Sequence, residues 1–334
     1  MNNGRGIVID VQNRPDADVA PAEDGARCCP LCESTNIAAY LRAPDRFHLR
    51  KQVYQLIRCD SCSLVWQDSP PRPEEMSNHY GTDYHRVVVE SVEVDLLKRW
   101  RHPRQRVLEM CKGGALLDIG CSSGGFLRTM KTEDWVLHGI EISPNEAKMA
   151  AESTGAQVFV GDILDAPFAP QTFDVITALH AMEHVYHPQQ VFRKVWQWLK
   201  PGGILYLQVP NIEGLEAHIF GSYWFGLEMP RHLSHFSPKS MRLLASSTNF
   251  EEVLVATLPD CYVEKSLRYV LDDALMKAGI ERTPLASANG SPSIPWRVVR
   301  KSFRLSVLLP FRRLAAGLGR GPAIEAAFRR PGSE

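Results

Sequence analysis

The chain lacks any apolar run near the roughly 20 residues that cross a bilayer, and no leader-like apolar segment follows Met1. A cytoplasmic enzyme is the expectation. Net charge is missing too: 38 Lys and Arg offset 38 Asp and Glu, so no extended nucleic-acid surface is expected. The balance is uneven, however, because no acidic residue occurs between Glu281 and Glu325. Two nucleotide-binding signatures are also absent. No Gly-Lys-[Ser/Thr] follows the glycine-rich loop at 120–125, which excludes a P-loop. Ser122 stands where a dinucleotide fingerprint needs its second glycine, so a close approach to a pyrophosphate is not provided and a dehydrogenase is the weaker reading.

At 334 residues and 44% hydrophobic content, the chain has enough apolar material for one large domain with a smaller attachment. Four of its eight cysteines form two C-x-x-C pairs, Cys29/Cys32 and Cys59/Cys62. Without a secretion signal this spacing favours four thiolates around a structural Zn2+ over disulfides. Cys28 is an alternative ligand in a C-x3-C arrangement. Such a site is closed, so it is expected to fold its module rather than perform catalysis.

From about residue 115 the pattern changes. Apolar strands near 115–120, 136–141, 157–160, 173–178 and 203–209 alternate with helical segments near 125–132, 144–153 and 188–199, which predicts a parallel sheet with helices on both faces. A helix near 238–248, a strand near 251–258 and a last strand at 323–329 complete it. The expected organisation is a disordered tail (1–26), a zinc-ribbon module (27–70), a linker and helical cap (71–114), a core (115–261), a basic amphipathic helical insertion (262–321), and the last core strand with its tail (322–334). Three acidic residues close successive core strands: Asp118 before the glycine loop, Glu141 about 20 positions on, and Asp162. An acid at the second position accepts hydrogen bonds from ribose hydroxyls in Rossmann-like sheets. At the third, the carboxylate or the Ile163 backbone can meet an adenine amine.

Taken together, LLDIGCSSGGF, GIEIS, GDILDAPF, FDVITALHAMEHVYHP and LKPGGILYLQVPN resemble class I S-adenosylmethionine-dependent methyltransferases over roughly residues 85–260. The resemblance implies a Rossmann-like α/β fold with a seven-stranded sheet. It also implies a cofactor site at Asp118, Gly120, Cys121, Ser122, Glu141, Ile142, Asp162 and Ile163. HAMEH (His180–His184) formally fits an inverted zincin motif, but it follows a strand rather than lying on a long helix with a further ligand. Within the resemblance, Glu183 and His184 match the E-H of ubiquinone-type O-methyltransferases. His184 is then either a base or a packing residue.

PRHLSHFS (Pro230–Ser237) resembles a segment of bacterial methyltransferases of quinone, sugar and surface-polysaccharide type, which makes His232 an acceptor-site candidate. Its other reading is a helix start capped by Ser237. The cysteine module resembles the amino-terminal module of sugar and polysaccharide methyltransferases, and this implies weaker roles for Tyr80 and Tyr84. The expected activity is methyl transfer to a small-molecule acceptor, nucleotide-linked or lipid-linked, by O-methylation of a sugar, polysaccharide or isoprenoid/quinone-type precursor. An RNA methyltransferase lacks support, because no [Asp/Asn]-Pro-Pro-[Tyr/Phe] follows the fourth core strand. The rival from another class is a non-catalytic adaptor of the same fold. In the basic insertion, Trp296 to Arg313 is read either as a lid or as a peripheral contact with the inner membrane surface.

Overall fold

The computed structural model describes residues 8–10, 28–80, 96–132, 134–259, 262–280 and 309–332. In chain order the strands are β1 (Val8–Asp10), β2 (Ile37–Pro44), β3 (Val53–Cys59), β4 (Val65–Gln67), β5 (Gly114–Ile119), β6 (Trp135–Glu141), β7 (Gln157–Val160), β8 (Phe173–Leu179), β9 (Leu199–Pro210), β10 (Ser234–His235), β11 (Glu251–Leu258) and β12 (Ala323–Arg329). The helices that matter here are α1 (Leu96–Met110), α2 (Gly125–Met130), α3 (Pro144–Thr154), α4 (Pro188–Trp198), α5 (Pro238–Ser246), α6 (Val263–Lys277) and α7 (Leu309–Gly317).

The large sheet runs β1-β7-β6-β5-β8-β9-β12-β11. It is parallel up to β9; β12 pairs antiparallel with both β9 and β11, so β12 alone runs against the other strands. Its inner strands are apolar on both faces, as a sheet covered by helices on each side requires. Leu116, Val175 and Ile204 enter one core cluster with Phe126, Met130 and Ala150. Their neighbours Leu117, Ile176 and Leu205 enter the other, with Phe192, Trp198 and Phe236. Ser143 accepts from the Glu146 N–H at the start of α3, and Gly155 ends that helix in the left-handed region at φ 79°, so polar and glycine punctuation sets its length.

The structure departs from the sequence expectation in four places. Seven strands form the expected sheet, but Val8–Asp10, assigned to a disordered tail, adds an eighth by pairing in parallel with β7; an uncovered parallel edge accepts any short extended segment. The zinc-ribbon module does not close on itself at residue 70. Its four-stranded sheet runs β10-β4-β3-β2, so a strand from residues 234–235 completes it. Lys200–Gly203 is a bulge at the beginning of β9 rather than a break before it, with the register jumping from Phe173↔Leu199 to Val175↔Ile204 and Gly202 at φ 80°. Finally, α6, the first helix of the 262–321 insertion, carries three acidic and three basic residues, so the basic excess of that insertion lies in the residues after Glu281.

α6 lies over the 220–227 segment. There Ser266 Oγ accepts from the Phe225 N–H at 3.0 Å and Tyr223 donates to Asp273 at 2.7 Å. Of the predicted basic stretch, Trp296 to Leu308 lies outside the described residues, as does Tyr84. Among the described residues no helix is long and apolar enough to cross a membrane.

Candidate active site

β6 and β8 flank β5 on opposite sides, the arrangement that opens a crevice outside the carboxyl ends of the strands. The turn from β5 into α2 uses left-handed backbone at Gly120 (φ 70°), Ser122 (φ 46°) and Gly124 (φ 81°). At Gly120 a side chain is excluded twice: by that φ, and because a Cβ would stand 2.9 Å from the Ala181 Cβ. The N–H groups of Gly120 and Cys121 both donate to the Ile140 carbonyl, at 2.9 and 3.1 Å, which fastens the loop to β6. Glu141, ending β6, accepts from the Ser122 and Ser143 N–H groups, each at 2.9 Å.

Asp118 is buried and accepts a 2.6 Å hydrogen bond from Thr177. Burial pushes its carboxyl up to about 7; the Thr177 bond opposes the rise and the Glu141 charge adds to it. Cys121 is buried behind the loop, where loss of solvent pushes its thiol up. Ile142 is 73% exposed, an uncovered apolar side chain beside Glu141. Across the β6–β7 pair Glu141 is in register with Val160, two residues before Asp162. Exposed Asp162 accepts from the Leu164 N–H at 2.8 Å, and Ile163 turns inward. All eight cofactor candidates therefore stand at the carboxyl ends of three adjacent strands.

The histidines meet next to this loop. Met182–His184 forms a short 3-10 turn after β8, and Ala181 is the residue that touches the Gly120 position. His184 Nδ1 lies 2.9 Å from the Tyr80 hydroxyl and 3.1 Å from the Arg231 carbonyl. His232 is buried with Nδ1 2.9 Å from the Gly226 carbonyl, and its ring stands edge-on to His184 at 4.6 Å between centroids. Burial, reinforced by the charges of His184 and His235, drives His232 well below the ordinary histidine range, so it is neutral at physiological pH. Burial likewise lowers His235 to about 4.

Sequence reasoning missed what holds this cluster. Arg231 is fully buried and donates to Asp45 at 3.2 and 3.3 Å, to Glu228 at 3.4 Å and to the His79 carbonyl at 3.1 Å. It ties the turn after β2 to the segment before β10. The arginine of PRHLSHFS was visible, but its partner lies 186 residues away and no periodic pattern points to it.

The four predicted cysteines converge. The Sγ atoms of Cys29, Cys32, Cys59 and Cys62 lie within 4.8 Å of one another, with Cys29–Cys62 and Cys32–Cys59 at 3.5 Å. Thiolates about 2.3 Å from one ion stand roughly 3.8 Å apart, so the set fits a tetrahedral metal. The two turns are built alike: Glu33 and Ser63, each following a second cysteine, are left-handed and donate back to the Cys29 and Cys59 carbonyls. Cys28 is exposed and outside the cluster.

Residues 93–255 match the family model described as a methyltransferase domain. This segment is a class I methyltransferase domain. The chain is similar to the 27-O-demethylrifamycin SV methyltransferase of Amycolatopsis mediterranei, 33% identical over 33% of this chain and 45% of that protein. It is also similar to the demethylmenaquinone methyltransferase of Listeria monocytogenes, 27% identical over 52% and 77%. Haemonchus contortus phosphoethanolamine N-methyltransferase 2, solved with S-adenosyl-L-methionine, shares the fold at a TM-score of 0.52 and 16% identity, covering 88% of this chain and 68% of that one. The chain spans 31%, 45% and 25% of the lengths of the first three curated relatives.

Proposed function

We propose that the chain methylates a small-molecule acceptor from S-adenosylmethionine, by O-methylation of a sugar, polysaccharide or isoprenoid/quinone-type precursor. One observation carries this reading: Ala181, in the turn that bears Glu183 and His184, packs against the Gly120 position of the glycine loop, so cofactor cradle and histidine cluster adjoin. The bound cofactor supplies an electrophilic methyl group on sulfur. Glu141 would accept from its ribose, Ile142 would cover the adenine, and Asp162 with the Ile163 backbone would face the exocyclic amine. Asp118 would offset the positive charge of the methionine end.

On the acceptor side, His184 and His232 act at the hydroxyl whose oxygen takes the methyl, and Tyr80 orients His184. Packing by α6 over residues 220–227 keeps water from the cluster. The oxygen in the name of the rifamycin relative supports an oxygen acceptor. Cys29, Cys32, Cys59 and Cys62 hold a structural Zn2+ that fixes β2–β4, and with them Asp45, against the acceptor segment. Isothermal titration with S-adenosylmethionine tests the assignment. Wild type binds, and Asp118→Ala or Glu141→Ala each weakens binding at least about tenfold; undiminished binding in both variants sinks it. Comparison of deletion and wild-type cells for metabolites differing by one methyl mass identifies the acceptor.

A further inference from the structure

Glu183 is 1% exposed, and among the described residues neither of its carboxylate oxygens has a hydrogen-bond donor. His180 Nδ1 lies 3.4 Å from Oε1. A buried carboxylate left in this state is costly unless a cation or proton completes it. Ligand atoms of Glu183, His184 and His232 lie within 4.8 Å of one another. Both imidazoles also carry the outer contact typical of metal ligands, a ring nitrogen bonded to a backbone carbonyl so that the other is left as a lone-pair donor. For His184 this partner is Arg231, with the Tyr80 hydroxyl sharing Nδ1. For His232 it is Gly226. Glu228 Oε2 stands 3.6 Å from His232 Nε2 and adds negative charge to the rim.

We propose that Glu183, His184 and His232 bind one divalent transition-metal cation through a carboxylate oxygen and the two Nε2 atoms. The donor set of two imidazoles and one carboxylate suits Fe2+, Co2+, Ni2+ or Zn2+ rather than the all-oxygen cations. Nitrogen and oxygen ligands about 2.1 Å from an ion stand roughly 3.4 Å apart in a tetrahedron, so side-chain rotations of about 1 Å close the set. Three protein ligands leave positions open, and an acceptor hydroxyl bound there loses its proton more readily. That role rests on the proposed methyltransfer; cation binding does not.

The test uses the full chain with its cysteine-bound zinc retained, titrated with CoCl2 and followed by visible absorption, metal analysis and thermal unfolding. Wild type takes up one cobalt per chain beyond the zinc. Its spectrum shows weak d–d bands and none of the intense near-ultraviolet charge transfer of cobalt thiolate. Glu183→Gln weakens this binding at least about tenfold, keeps its zinc, melts above wild type without cobalt because the uncompensated carboxylate is gone, and no longer gains thermal stability on adding cobalt. His232→Asn gives an independent variant, with the same loss of cobalt. No uptake beyond the zinc, or equal affinity in wild type and both variants, overturns the site. S-Adenosylmethionine titrated into the same samples separates the two readings. Cofactor binding without cobalt uptake removes the metal site alone, and cobalt uptake without cofactor binding removes the methyltransferase reading alone.

Discussion

Asp118→Asn should stabilise the protein at alkaline pH while weakening its hold on the cofactor. The Asp118 carboxyl is held at about 7 against an ordinary 3.8, chiefly by burial. A group whose folded pKa is raised contributes its stability at low pH and loses it as pH climbs from about 4 through 7, because the unfolded chain releases the proton first. With 1.36 kcal/mol per pKa unit, ionisation of this site costs about 1.7 kcal/mol at pH 5 and about 4.3 kcal/mol at pH 8. Asparagine removes that dependence and still accepts the Thr177 hydroxyl bond. The stability difference between variant and wild type should therefore widen by about 2.6 kcal/mol between pH 5 and pH 8. Urea unfolding followed by tryptophan fluorescence at both pH values measures it, since every other titrating group is common to the two proteins. A difference that stays constant within about 0.5 kcal/mol between the two pH values would refute the burial argument.

Asp45 gives the opposite pH dependence. Burial alone would raise it, but the His48 hydrogen bond and the Arg231 charge outweigh burial and hold it at about 2. Its contribution is present above pH 3.8 and lost as pH falls through 2, so Asp45→Asn should lose about 2.4 kcal/mol at pH 7 and nothing near pH 1, read from urea midpoints across that range. Gly120→Ala combines a left-handed backbone with a 2.9 Å approach to Ala181; a loss of about 1–3 kcal/mol with abolished cofactor binding is expected, and unchanged calorimetric affinity would contradict the tight loop. Cys59→Ser should release the zinc and lower the melting temperature by several degrees, because Cys29, Cys59 and Cys62 pack in the same apolar cluster as Leu117 and Ile176. Stoichiometric zinc in that variant, by metal analysis, would exclude the four-cysteine site.

The placing of the glycine loop and the strand-end acids at one edge of the sheet was legible because strand-end acids and glycine turns are local signals. Each strand carries its own apolar run, and the acid closing it is read at a fixed distance from the loop. The cysteine site was legible for the same reason, since its two turns are short and repeat one spacing. β10 was not: two residues have no period, and they become a strand only because β4 presents a free edge beside them. Val8–Asp10 escaped for the same cause. The role of His184 and His232 stayed open between base and packing because chain spacing says nothing about two rings meeting edge-on from residues 184 and 232.

The sequence by itself determined which residues are apolar at strand and helix spacing, where glycine frees the backbone, and which acids and thiols sit at turns. Those choices depend on neighbours a few positions apart, and they specify the sheet, the loop at 116–127 and the cysteine knuckles. Only the tertiary structure decided that Arg231 is buried against Asp45, that Glu183 has no side-chain donor among the described residues, and that the histidine turn leans on the glycine loop. Burial and partnership across 186 residues arise from how elements pack, and desolvation, which sets the proton affinity of Asp118 and His232, exists only after packing.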